Sequence, residues 1–525
     1  MVGHDFLTGG DWLLVILVMA GAVPDVAGAY QFLLIAAHFA RNHYGKCQPC
    51  FPRVAILIPA WNEAAVIGTS IDRLMLLDYP RDALRIFVVD DASTDTTPDV
   101  ILGKAAQYPG NVFHLRREKG GQGKAHTLNH GLITILADDW MEALLIMDAD
   151  VIYEPDSLRK MTRHLADPKV GAVTAYIKEG SRPGNYLTRF IGYEYITAQA
   201  AARRSQNVLG AIACLAGGAQ LHTRANLLAV GGRIDTSSLA EDTFTTFKTQ
   251  LAGNRVVFEP HATVWAEEPD NINGLWKQRL RWSRGNVQVT IQYRHLWFRP
   301  HRGHRLGSIS FGIFWFCLFL QPIFMIVSSA SLITLYFANF PRAWVAFHIL
   351  WIINAVTYIF ITSYTVLIDR PTGRRAWREA IMFPGAVSLI IIVYACFPRL
   401  FGDAWHALSG PAHGPSGRGA SWLILFVYAW LGLSMAAAYL AKVVEPKRYG
   451  KFFSALLLYV VGYGSLLCAC TFASYVKELR KAEMKWDKTE KTGKAALPVK
   501  TLSPARSGPR SRMKFAGRSG TREAC

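Results

Sequence analysis

Charge is scarce in this chain. Only 18% of the 525 residues are Asp, Glu, Lys or Arg, against about 25% in an ordinary soluble domain. With 51% hydrophobic residues, that shortfall argues against a wholly soluble protein. Acids are the scarcer sign, 38 against 57 basic residues, which leaves a net charge of +19. Such a balance suits nucleic acid or the cytoplasmic loops of a membrane protein, which gather Lys and Arg, so the position of the charges decides. At 12% aromatic content, disorder is excluded for most of the length. Cysteine is sparse too: Cys317, Cys396, Cys468 and Cys470 lie in apolar runs, Cys214 sits beside a Gly-rich turn, and Cys525 ends the sequence. Cys47-Gln48-Pro49-Cys50 is a lone C-x-x-C with no second pair and no adjacent His to complete a zinc site. No secreted disulfide framework is present, and reduced cytosol suits the soluble part.

What is abundant is long apolar sequence at both ends. The first run covers Trp12 to Ala40 and is interrupted by Pro24 and Asp25. A membrane span needs about 20 apolar residues, so one kinked helix is expected rather than two. A signal peptide fits less well, because Asp5 and Asp11 precede the run in place of a basic leader. Further runs cover roughly 309–337, 344–368, 381–400, 422–441 and 452–475. Basic residues flank the stretch between: Arg41, Lys46 and Arg53 before it, Arg299, Arg302 and Arg305 after it. By the positive-inside rule residues from about 51 to 300 face the cytosol. The tail from Lys491 has Glu523 as its only acid and is expected to be disordered and cytoplasmic. Five spans would leave that tail outside. One run, the one containing Pro384, is therefore expected to lie in the interface or re-enter.

The stretch between the runs alternates strands and helices, the pattern of a mostly parallel sheet covered by helices. Arg53–Pro59, Leu84–Asp90 and Ala143–Asp148 read as strands, with a helix from Glu63 to about Leu77. Ligands bind outside the carboxyl ends of such strands. That rule selects Trp61, Asn62 and Glu63, then Asp90 and Asp91, then Asp148 and Asp150. Two carboxylates at a strand end repel one another, and a divalent cation bridging to phosphates would stabilise them; an ordinary turn is the competing reading. Lys119-Gly-Gly-Gln-Gly-Lys124 suits either a bound anion or a flexible surface turn, and it lacks P-loop spacing. Glu241-Asp242 stands at a helix start. Gln278, Arg281 and Trp282 share one helical face, suited equally to membrane anchoring and to substrate contact.

Taken together, Pro-Ala-Trp61-Asn62-Glu63, Val-Val-Asp90-Asp91, Asp148-Ala-Asp150, Ala-Glu241-Asp242 and Gln278-Arg-Leu-Arg281-Trp282 occur in an order that resembles the membrane-embedded processive family 2 glycosyltransferases. This is the group of cellulose, chitin, hyaluronan and poly-N-acetylglucosamine synthases. Trp486-Asp-Lys-Thr489 also resembles a cytoplasmic element of bacterial relatives. The resemblance implies an α/β domain of the GT-A type inserted between transmembrane helices. It divides the chain into a membrane segment (1–50), the catalytic domain (51–273), interfacial helices (274–305), a channel region (306–476) and a basic tail (477–525).

The resemblance also assigns roles. Trp61, Glu63 and Asp90 would hold uridine with Asp91 beside it, and Lys124 would lie near the diphosphate. Asp150 with Asp148 would hold Mg²⁺ or Mn²⁺. Asp242 would be the general base, next to Glu241. Gln278 would bind substrate, Arg279 and Arg281 would neutralise the leaving diphosphate, and Trp282 would stack under the acceptor sugar. Gly217 and Gly218 correspond to the acceptor-side turn, though Cys214-Leu-Ala-Gly-Gly218 lacks the family's aromatic-Cys-Gly form. Ala240 stands where many relatives have Thr.

The implied activity is polymerisation of UDP-glucose or UDP-N-acetylglucosamine into a β-linked polysaccharide that crosses a bacterial inner membrane. The partners are then the UDP-sugar, the growing polymer, the bilayer and, in some settings, an export protein. A non-processive transferase acting on a lipid carrier is the competing enzyme reading. A transporter would carry charges inside its apolar runs, and a nucleic-acid protein would gather basic residues beside readable motifs. Neither pattern is present.

Overall fold

A computed structural model describes residues 9–41, 47–398, 422–447, 449–483 and 493–497. Eight strands build one sheet: β1 (Val54–Ala60), β2 (Leu84–Asp90), β3 (Val112–Arg116), β4 (Ala143–Ile146), β5 (Val151–Tyr153), β6 (Val170–Glu179), β7 (Gln220–Thr223) and β8 (Arg255–Ala266). Their order is β3-β2-β1-β4-β7-β6-β8-β5. The first four run parallel. β7 enters antiparallel to β4 and β6, while β6 and β8 are parallel and β5 closes the edge antiparallel to β8.

β1 is apolar throughout because both faces of the sheet are covered. Val54, Ile56 and Ile58 pack with Ile67, Ile71 and Leu74 of the helix Ile67–Leu74. Ala55 and Leu57 pack on the other side with Leu128 and Leu132 of the helix Lys124–Leu136. That is the period-2 strand pattern with two buried faces. β1 and β2 fall within a residue of the sequence expectation. The first helix is shorter than expected, since Glu63 lies in a turn whose N–H donates to Thr97 Oγ1 at 2.8 Å. Successive strands step outward from β1 to β3, and β4 lies on the opposite side of β1. The crevice beyond the ends of β1 and β4 is thus a topological switch point.

Among the described residues, four helices are long and apolar enough to cross a membrane: Gly10–Ala40, Gln321–Ala338, Phe340–Ile368 and Trp422–Val444. The first apolar run is one span with a short 3₁₀ turn at Ala20–Ala22, just before Pro24. The run at 309–337 splits into Ile309–Phe319 and Gln321–Ala338, because Pro322 opens the second helix and cannot continue the first. Among the described residues of 381–400, the helix after the Pro384 turn is Ala386–Cys396, too short to cross. The last run is a pair, Gly450–Val461 and Tyr463–Leu479, bent by 98°. Gly385 and Gly462 permit both breaks: φ is +86° and +96°, and a Cβ on Gly385 would lie 2.4 Å from Gly462 N.

Part of the tail expected to be disordered is ordered on the domain. Gly493 and Lys494 donate backbone N–H groups to Glu267 Oε2 at 2.9 and 3.1 Å. Ser181 pairs antiparallel with Ala495, Arg182 donates its N–H to Lys494 O at 2.7 Å and Ala496 to Gly180 O at 3.0 Å, so this tail segment runs along the backbone after β6. Trp486 to Thr489 lie outside the described residues.

Candidate active site

A cavity of about 1100 Å³ opens at the switch point. It is lined by Trp61, Glu63, Asp91, Lys124, Asp148, Asp150, Gly217, Gly218, Glu241 and Asp242, and by Gln278, Arg279, Arg281 and Trp282. Of the residues selected at the strand ends, Asn62 and Asp90 are absent from this wall.

The turn after β1 is held by Asn62, whose φ is +52°. Its Oδ1 accepts the Thr94 N–H at 2.8 Å, and its own N–H donates to Ser93 Oγ at 2.9 Å. This places Trp61, 37% exposed, at the cavity. Asp90 closes β2 and is fully buried. Its Oδ1 accepts the Ser93 N–H at 2.9 Å and its Oδ2 pairs with Arg116 at 3.1 Å. Asp90 therefore braces the turn that follows β2. Asp91, one residue on, points to the cavity side. It pairs with Arg117 and accepts the Gly121 N–H at 2.9 Å. The glycine-rich turn is neither a loose surface loop nor a P-loop. A Cβ on Gly120 would lie 2.0 Å from Asp91 O, so the turn is wrapped onto Asp91.

Lys124 begins the helix that follows. Its Nζ lies 2.5 Å from Asp148 Oδ1 and 3.6 Å from Glu241 Oε1, and it donates to Gly217 O at 3.1 Å. Burial would lower this ammonium, but Asp148 and Glu241 raise it above its ordinary value. Asp148 and Asp150 stand between β4 and β5. Ala149 O between them accepts from Ser70 Oγ at 2.5 Å, and Tyr153 donates to Gly218 O at 2.9 Å. A Cβ on Gly218 would meet Val151 Cγ2 at 2.9 Å, and one on Gly217 would lie 3.4 Å from Asp242 Oδ2. Both glycines thus mark close approach of backbone to functional groups.

Glu241 and Asp242 open the helix Glu241–Leu251. Burial raises the Glu241 carboxyl, Lys124 opposes that, and Asp242 adds to it; the outcome is above the ordinary value. Asp242 Oδ1 accepts the Thr243 N–H at 2.7 Å, while Oδ2 is on the Gly217 side. The helix Ile272–Gln292 lies against this pair. A Cβ on Gly285 would fall 2.4 Å from Ala240 Cβ, and Gln288 Oε1 accepts the Leu239 N–H at 3.0 Å. The amino end of that helix is capped by Glu445, which accepts from Ile272 N and Asn273 N at 2.7 Å each.

Gln278, Arg281 and Trp282 all reach the cavity, as their shared helical face predicts. Arg279 is buried and holds Glu194 bidentately, Nε–Oε1 2.9 Å and NH2–Oε2 2.7 Å, with its guanidinium 4.2 Å over the Trp282 ring. Its charge is thus paired inside the protein while its guanidinium also lies against Trp282 at the cavity wall. Glu194 has no sequence signal. Glu268 had one, since it follows the end of β8 as Asp148 follows β4; it accepts from Tyr195 at 2.5 Å and Gln278 at 3.1 Å. Asp25 was read only as a break in an apolar run, yet it too lines the cavity.

Among the described residues no three His, Cys, Asp or Glu side chains cluster to hold a metal by themselves. The donor set nevertheless fits one. Asp148 and Asp150 are two hard carboxylates on one cavity, and Mg²⁺ or Mn²⁺ commonly takes one or two carboxylates with the phosphates of its ligand.

Residues 52–285 match the family described as "Glycosyltransferase like family 2". A probable glycosyltransferase, YdaM of Bacillus subtilis, is 29% identical over 320 residues, covering 61% of this chain and 74% of that protein. A poly-beta-1,6-N-acetyl-D-glucosamine synthase of Staphylococcus aureus is 29% identical over 240 residues, covering 46% of this chain and 56% of the synthase. Among solved structures, the mannosyltransferase PcManGT of Pyrobaculum calidifontis, in complex with GDP-Man and Mn²⁺, is 21% identical with a TM-score of 0.47, covering 73% of this chain and 99% of that one. That likeness assigns no residue a role. The matched stretch holds all the motifs above, so the chain carries a family 2 glycosyltransferase domain and is a glycosyltransferase.

Proposed function

We propose that this glycosyltransferase is processive and inverting, extending a β-linked polysaccharide from UDP-glucose or UDP-N-acetylglucosamine and moving it across the membrane. The observation that carries this reading is the continuity of the cavity. Its wall includes Asp148 and Asp242, and also Trp315, Trp351, Tyr358 and Thr471 of the apolar helices. Flat rings suit sliding sugar faces, and a single-sugar transferase has no need of a lining that continues beyond the acceptor site.

In the reaction the acceptor hydroxyl oxygen attacks the anomeric carbon as the bond to the diphosphate oxygen breaks. One displacement on an α-linked donor gives a β-linked product. Asp242 takes the hydroxyl proton, help that contributes about 10² to 10⁴ in rate. Lys124 and Arg281 offer positive charge where the diphosphate gathers negative charge. Trp61 and Glu63 border the nucleoside, and Trp282 supports the acceptor sugar. Asp148 and Asp150 would hold Mg²⁺ or Mn²⁺, which when bound neutralises diphosphate charge. The basic flanks support a catalytic domain on the cytoplasmic side of a bacterial-type inner membrane, with division of the chain near residues 50, 273, 305 and 476.

The test is polymer formation by detergent-purified protein given UDP-glucose, UDP-N-acetylglucosamine and UDP-glucuronate singly and paired, with Mg²⁺ or Mn²⁺. A long product from one donor supports the proposal. UDP release with only short or lipid-linked products overturns processivity and favours single transfer to a lipid carrier.

A further inference from the structure

The lone C-x-x-C has no histidine beside it in sequence, but the fold supplies one. Cys47 Sγ lies 3.4 Å from His164 Nδ1, and His164 Nε2 lies 2.7 Å from Glu259 Oε2. Three separate segments meet here: the approach to β1, the 3₁₀ turn Arg163–Ala166, and β8. Glu259 sits where the register of β8 jumps, pairing with Ala175 just before Thr263 pairs with Tyr176. That irregularity spares its carboxylate for other partners. Arg163 NH2 donates to Glu259 Oε2 at 2.5 Å, and the His261 N–H donates to Oε1 at 2.8 Å. None of these residues lines the catalytic cavity.

We propose that Cys47, His164 and Glu259 form a nucleophilic-thiol site, separate from glycosyl transfer, at which the protein is modified by peroxides and other soft electrophiles. The order is that of an activated nucleophile: sulfur, then imidazole, then an acceptor that fixes the imidazole. Accessibility grades in the same order. Cys47 is partly exposed, whereas His164 and Glu259 are 4% and 0% exposed. A purely structural His–Glu pair needs no thiol at its open end.

Electrostatics agrees with this geometry. The hydrogen bond to His164 lowers the Cys47 thiol, outweighing the burial that raises it. Burial would lower the His164 imidazole, but Cys47 and Glu259 raise it. The thiol is faced by His164, Arg163 and Glu259, with His261 and Lys160 grouped around Glu259 further out. Both directions favour a thiolate beside an imidazolium as the reacting pair. With hydrogen peroxide, the sulfur attacks one oxygen and the O–O bond breaks. Cys47 is oxidised to a sulfenic acid, and the leaving hydroxide takes the imidazolium proton as water.

The experiment maps iodoacetamide alkylation of each cysteine in the full-length protein by mass spectrometry, from about pH 6 to 9. Cys47 is expected to react roughly severalfold faster than a free cysteine peptide near pH 6.5, with a profile shifted to lower pH. His164→Gln should restore an ordinary rise with pH, and peroxide should convert Cys47 to a dimedone-reactive form. Cys47→Ser should leave UDP release unchanged. A wild-type profile that climbs like a free thiol overturns the proposal, and it does so without any variant. Loss of transfer in Cys47→Ser would overturn the claimed separation.

Discussion

Lys124 Nζ stands 2.5 Å from Asp148 Oδ1 and thereby joins the strand-end carboxylate to the helix-start carboxylate of Glu241, 3.6 Å away. One cation thus serves two acids that come from opposite sides of the cavity. Lys124→Gln keeps a polar side chain, one atom shorter, and removes the cation that stands between Asp148 and Glu241. Turnover should fall by about 10², the scale of removing one preorganised electrostatic contact. The Asp148 side chain is 40% exposed and its share of any stability loss should be small, whereas Glu241 is buried and loses its neighbouring cation, so Tm should fall as well. UDP release and a melting curve on the same preparation separate the two effects. A large drop in Tm with ordinary turnover would contradict the assignment.

Glu241 and Asp242 are neighbours with different surroundings. Glu241 is 4% exposed and raised by burial and by Asp242, whereas Asp242 is half-buried and opens onto Gly217 and the cavity. Asp242→Asn should remove proton transfer alone, lowering turnover by about 10² to 10⁴ while UDP affinity stays within a few-fold. Calorimetric UDP binding beside the rate measurement checks this. Equal loss of binding and rate would place Asp242 in the donor site instead of at the acceptor.

Arg279 and Arg281 are two residues apart and should behave oppositely. Arg279 is paired bidentately with Glu194, whose Oε2 also accepts from Tyr463 at 2.6 Å. Breaking a buried pair from one side costs about 3–5 kcal/mol. Arg279→Ala should therefore lower Tm and yield, and Glu194→Gln should do so partly. Arg281→Ala should leave Tm near wild type and reduce turnover. If Arg281→Ala destabilises and Arg279→Ala does not, the two roles are exchanged.

The half of the sheet from β1 to β4 was legible because its strands are uninterrupted apolar runs with polar ends. The strand-end rule located Trp61, Asp91, Asp148 and Asp150 at the cavity. Asp90, fully buried beside Arg116, is absent from the cavity wall, a burial that a strand-end rule does not register. Glu194 was illegible: an acid in a helix carries no mark of the arginine it will meet 85 residues later. The membrane region was legible in composition but not in its breaks. Hydropathy registers 309–337 as one run, while Pro322 starts a second helix there. The bend at Gly462 depends on its contact with Gly385, which no local window contains.

The sheet also carries a pH-sensitive element far from the chemistry. His222 lies in β7 with no exposed surface, its Nδ1 accepting from Asn226 Nδ2 at 3.2 Å. Burial pushes this imidazole down to about 4. An unfolded chain would bind a proton there near pH 6.5. Between those values the unfolded state holds the proton and the folded state does not. The stability that the neutral His222 contributes is therefore complete above about pH 6.5, is lost progressively as pH falls, and levels off below about 4, with a ceiling of about 3 kcal/mol. His222→Gln keeps a group that can accept from Asn226 and cannot titrate. Wild-type Tm should drop more than that of His222→Gln between about pH 7 and 5, even if the variant starts lower. Parallel curves would mean that His222 is not the group taking up the proton.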